Sequence, residues 1–221
     1  MGLVSFTLLV ALGGVTAAII GVVRRGAKRV DALRAAAKRL GWSFVDHIPL
    51  DAVPDLDRFE LFKAGRSKKL TNLLASPAGE RRAMVFDYRY VTGGGKSQRT
   101  HRQTVFYVTG DALRLPSFSL RPENFLHRIG ELFGFRDIDF ERRPEFSRLF
   151  LLRGDDEEAI RKAFGDGVLR FFEERPRTCA TGSGTELLFW RPGSFVAPDA
   201  LEELIQDGED LFARLAQEGG P

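Results

Sequence analysis

Residues 2–23 run twenty-two positions without a charged side chain, and the next sixteen, 24–39, hold seven Lys or Arg against one Asp. At about 1.5 Å rise per residue, twenty-two residues make a helix of roughly 33 Å, which suits a hydrocarbon core of about 30 Å with a modest tilt. Twelve of them are Leu, Ile, Val or Phe, and such residues favour insertion. No Lys or Arg precedes Arg24, so the basic leader of a cleaved signal peptide is missing and a retained single-pass transmembrane helix is predicted over residues 1–23. Its cationic flank, beginning with Arg24, Arg25, Lys28 and Arg29, predicts that the body of the chain stays in the cytoplasm and that these four side chains meet the membrane surface. Gly13, Ala17 and Gly21 repeat at four-residue spacing, which would let a second copy of the helix approach closely and form a homodimer.

From Val30 the pattern turns amphipathic. Val30, Leu33, Ala37 and Leu40 share one face, and Gly41 is a stop, so residues 24–41 read as a basic helix that lies on the lipid or leaves it as a stalk. Residues 42–221 read as an α+β domain. Trp42 to Asp46 is a short strand, and Lys69–Ala75, Arg81–Val91 and Arg99–Thr109 alternate as a three-stranded antiparallel meander, joined by turn-forming residues. Leu115 to Arg121 reads as an extended connector, Pro122 to Phe133 as a helix, and Phe146 to Leu152 as a buried strand. Asp155, as N-cap with Glu158 in the capping-box position, opens a helix that runs to Phe172 with a bend at Gly165–Gly167. A later hairpin spans Arg177–Thr181 and Glu186–Arg191, and Pro198 opens a last amphipathic helix through Leu215. The sequence leaves open whether the part after Leu115 is a second lobe.

Charge narrows the function classes. The net charge is +3, of which residues 24–39 supply seven minus one, or +6, so the remainder sums to −3. The basic character belongs to the membrane flank, and a nucleic-acid binder is not expected. Nineteen Phe against three Tyr and two Trp point to a Phe-packed core. Cys179 is the only cysteine, which excludes an internal disulfide and fits a reducing compartment.

Candidate chemistry is sparse. Gly95-Lys96-Ser97 imitates the end of a phosphate-binding loop, but position 90 is Tyr where that loop needs Gly, and a strand follows. Asp137-Ile138-Asp139 lacks further oxygen ligands, His47, His101 and His127 lack metal spacing, and no Gly-x-Ser-x-Gly elbow occurs. No metal and no cofactor are predicted. The polar residues worth following are on the meander: Asp87 and Arg89 share a strand face, with His101 or Gln103 opposite and Asn72 on the first strand.

Phe62-Lys63-Ala64-Gly65-Arg66-Ser67, Asn72, Phe86-Asp87-Tyr88-Arg89-Tyr90, Gln103-Thr104-Val105, Leu120-Arg121-Pro122-Glu123, Asp137-Ile138-Asp139-Phe140 and Phe146-Ser147-Arg148 to Gly154 together resemble a family of bacterial hypothetical proteins with an N-terminal membrane helix. The resemblance covers most of residues 59–175. It implies a bacterial inner-membrane protein and assigns no activity. The expectation is a membrane-anchored interaction or scaffolding module with the lipid bilayer and a protein as partners. The alternative is an enzyme or small-ligand domain built on Asn72, Asp87, Arg89, His101 and Gln103.

Overall fold

The computed structural model describes residues 26–53, 56–123 and 137–218. Residues 26–40 form helix α1. The chain continues through β1 (Ser43–Ile48), the one-turn α2 (Glu60–Lys63), β2 (Arg66–Ala75), β3 (Arg81–Thr92), β4 (Arg99–Gly110) and β5 (Leu115–Pro122). The rest comprises α3 (Pro144–Leu149), β6 (Phe150–Gly154), α4 (Glu157–Ala163), α5 (Asp166–Glu173), β7 (Cys179–Gly184), β8 (Glu186–Trp190) and α6 (Leu201–Glu218).

All eight strands lie in one sheet of order β1-β2-β3-β4-β8-β7-β5-β6, and every neighbouring pair is antiparallel. The meander and the later hairpin, whose relation the sequence leaves open, are joined in this sheet, because β4 pairs with β8 from Val105 opposite Trp190 to Thr109 opposite Glu186. The supposed connector 115–121 is strand β5, placed between β7 and β6. Strands from both sides of Leu115 therefore share one sheet. Among the described residues no helix is long and apolar enough to cross a membrane, so a membrane helix is not part of the fold observed. The predicted span, its Gly13/Ala17/Gly21 stripe, Arg24 and Arg25 lie outside the described residues, as does most of the predicted helix 122–133.

Alternation along the strands sends side chains to two faces. On the first face Val85, Phe106, Val108, Leu120, Leu152, Ala180, Leu187 and Phe189 pack against helices α1, α3, α4, α5 and α6 in the main core. Phe146, Phe150, Phe164 and Phe172 form a ring cluster there, with neighbouring centroids 5.5 to 6.4 Å apart; each such burial contributes roughly 2–3 kcal/mol. Helix α6 sits so close that a Cβ at Gly208 would stand 2.2 Å from Phe106. On the second face Phe86, Tyr88, Tyr90, Val105, Tyr107, Leu188 and Trp190 are covered by a strap that includes Val53, Leu56, Phe59, Leu61 and Phe62.

Two local expectations shift. Residues 144–149 are helical because Pro144 takes the first helical position, and the buried strand starts only at Phe150. Asp156, not Asp155, caps α4, accepting the Ala159 N–H at 2.9 Å. The Asp137 carboxylate accepts the Leu152 N–H at 3.0 Å and pins the chain beside β6, and burial pushes its pKa up.

Candidate functional site

Helix α1 is docked on the sheet by one arginine. Leu33, Ala36 and Ala37 are buried in the core, as the amphipathic pattern requires. On the turn before them Arg29 faces inward. Its guanidinium makes two parallel 2.8 Å bonds to the Asp87 carboxylate and donates at 2.7 Å to the Val196 carbonyl. Asp87 is 1% exposed, and it also accepts from Asn72 Nδ2 at 2.9 Å and Thr104 Oγ1 at 2.7 Å. Thr104 Oγ1 in turn accepts the Val196 N–H at 2.9 Å. Asn72 reaches Asp87 because a bulge in β2 puts its backbone in the left-handed region, φ 54°. A buried carboxylate is tolerated when paired and hydrogen-bonded, and this one is held from three elements. Phe195 lies under the same guanidinium, 5.1 Å from it.

The opposite face carries a narrow cleft between α2 and the sheet. It is lined by Glu60, Leu61, Tyr90, Gln103, Arg121, Cys179 and Trp190, among others, and its free space is about 20 Å³, enough for about one water molecule. Arg121 bonds Glu60 across the mouth, and Arg58 pairs with Glu186 further along the strap. Gln103 is 3% exposed, and its Nε2 has no partner among the described residues. Burial pushes the Cys179 thiol up to about 12, with the Arg121 charge opposing. Burial likewise pushes Tyr90 up to about 12, again against Arg121, and raises Tyr88 further. Neither the Cys179 thiol nor the hydroxyls of Tyr88 and Tyr90 are poised to give or take a proton near neutral pH.

The predicted polar residues therefore do not form one site. Asp87 pairs in register with Thr104, Tyr88 with Gln103, and Tyr90 with His101, so Asp87, Asn72 and Arg89 belong to the helix-covered side while Gln103 and His101 belong to the strap side. His101 stacks on Tyr90 at 4.6 Å and bonds Thr92 Oγ1 at 2.7 Å. Arg29, expected at the membrane surface, is turned into the protein; Lys28 is exposed. The residues missed by the sequence, Glu60, Tyr90, Arg121, Cys179 and Trp190, come from five separate elements, and no spacing links them. Among the described residues no cluster of His, Cys, Asp and Glu could hold a metal ion.

No family model matches the sequence, and no curated protein does. Among solved structures the fold is similar to the crystal structure of the mycobacterial trehalose monomycolate transport factor A, TtfA. The TM-score is 0.62 at 12% identity, over 87% of this chain and 96% of that one.

Proposed function

We propose that this chain is a membrane-associated, transport-related domain that holds a protein partner at the cytoplasmic face of the inner membrane and performs no chemistry of its own. The observation that carries the reading is the likeness of fold to a transport factor across 96% of that protein's chain. The Arg29–Asp87 pair supports it: the described part of the basic segment belongs to the layer packed on the sheet. The site geometry favours an interaction module over an enzyme. The predicted polar residues separate onto two faces, and the cleft beneath the strap has room for about one water molecule; the wider hollow of about 430 Å³, between the start of β5 and α4, holds none of them.

In-cell crosslinking followed by purification of the full chain from the membrane fraction tests the reading. A membrane transport protein crosslinked to the chain is the expected result. Recovery of the chain alone under every crosslinking chemistry, or its appearance with the soluble proteins, overturns it.

A further inference from the structure

Two segments of the sheet region lack acids. Lys63 to Gly79 and Tyr88 to Gly110 contain no Asp or Glu, and they hold eight Lys or Arg: Lys63, Arg66, Lys68, Lys69, Arg89, Lys96, Arg99 and Arg102. These residues meet in space. The register sets Lys69 opposite Arg89 on β2 and β3, and Arg89 opposite Arg102 on β3 and β4, so three cations stand in a row across three strands. Arg99, opposite Thr92, falls on the strap side with His101, and Lys96 is on the exposed hairpin tip. Like charges directly across a ladder are destabilising. Yet among the described residues none of Lys69, Arg89, Lys96, Arg99 and Arg102 has an ion-pair partner. The nearby carboxylate of Asp87 is occupied by Arg29.

The end of the sheet at which that row stands receives the start of α1. The C-terminal end of α1 leads into β1, whose Ser43 pairs with Ala75 at the far end of β2. Running back at about 1.5 Å per residue, the helix meets Asp87 at Arg29, two residues short of Arg89. The loop carrying Phe195 closes this end, with the Gly193 N–H bonded to the Arg102 carbonyl at 3.2 Å. The described part of helix α1 therefore begins at the end of the sheet where the cation band lies. We infer that the band of Lys69, Arg89 and Arg102, extended at the hairpin tip by Lys96, is a docking surface for anionic phospholipid headgroups, which seats this end of the sheet on the membrane. The inference rests on the membrane-associated reading above, and it names the lipid chemistry and the surface that reading lacks.

The test uses the full chain with a fluorophore on Ser97→Cys. Cys179 is fully buried and stays unlabelled. The protein is mixed with phosphatidylcholine vesicles, with or without phosphatidylglycerol, that carry a headgroup quencher. Strong quenching that requires phosphatidylglycerol is expected, and it should fade at about 1 M salt, where the Debye length is about 3 Å. The K69Q/R89Q/R102Q variant should shift the docking equilibrium by about 100-fold, from roughly fivefold per cation. The variant K96Q, on the exposed tip outside the ladder, should shift it by about fivefold. Equal quenching with and without phosphatidylglycerol, or docking unaffected by both variants, overturns the inference while leaving membrane association intact. A chain that stays in solution with both vesicle types overturns both readings. Binding of inorganic phosphate or duplex DNA to the full chain in detergent, with no phosphatidylglycerol dependence in vesicles, assigns the band to another anion and overturns the lipid surface.

Discussion

Asp87 is the residue on which the two layers meet. Its carboxylate satisfies Arg29, Asn72 and Thr104 together, so Asp87→Ala leaves a buried guanidinium without its counter-ion. Breaking such a pair costs about 3–5 kcal/mol, and urea unfolding of the variant is expected to show a loss of that size. Arg29→Ala in the Asp87→Ala background should add little, because the two effects share one interaction. Cys179 supplies a second test. A thiol that is fully buried and raised to about 12 should resist thiol reagents at neutral pH until the protein is unfolded. The sign of the pH dependence follows. The unfolded chain releases the Cys179 and Tyr90 protons from about 9.0 and 10.0, while the folded chain holds both until about 12. The folded state binds more protons in that window, so stability is complete below about pH 9 and falls as pH rises towards 12. The urea midpoint measured across that range checks it. At this scale the sequence was partly legible: period-two alternation placed Asp87 and Arg89 on one face, but it could not tell that a helix would cover that face, or that the cation would arrive from residue 29.

The elements best read in advance were those with a strong local period. The inward face of α1, the three meander strands, the β7–β8 hairpin and α6 all follow their hydrophobic spacing. Strand β5 was missed because Leu115-Pro116-Ser117 looks like a loop; its strand pairing is long-range, to β6 on one side and β7 on the other. The start of α3 was hidden in a run of apolar residues that periodicity cannot assign. Two element-scale outcomes are expected. Gly208→Ala forces a methyl to 2.2 Å from Phe106, so α6 must shift, at a cost of about 1–3 kcal/mol, visible in thermal unfolding. Arg121→Ala removes the contact that holds Glu60 of α2. The strap around residues 56–63 should then be cleaved faster in limited proteolysis while the sheet core stays protected.

Across the whole molecule, one continuous sheet joins a helix-packed core on one face to a strapped aromatic layer on the other. That arrangement is the platform on which the proposed interaction reading rests. Global topology was the least legible part of the sequence, because the β4–β8 join that fuses the two halves pairs residues about eighty positions apart, a distance over which no local pattern carries information. The proposed placement of this platform on the cytoplasmic face of the inner membrane is the claim from which the partner and lipid readings follow. Protease treatment of a C-terminal tag in intact, outer-permeabilised and lysed cells, with the membrane fraction collected in parallel and a control protein in each compartment, tests it directly. The expected result is a tag that sediments with membranes and is protected until lysis; digestion after outer permeabilisation alone, or recovery of the chain in the soluble fraction, contradicts it.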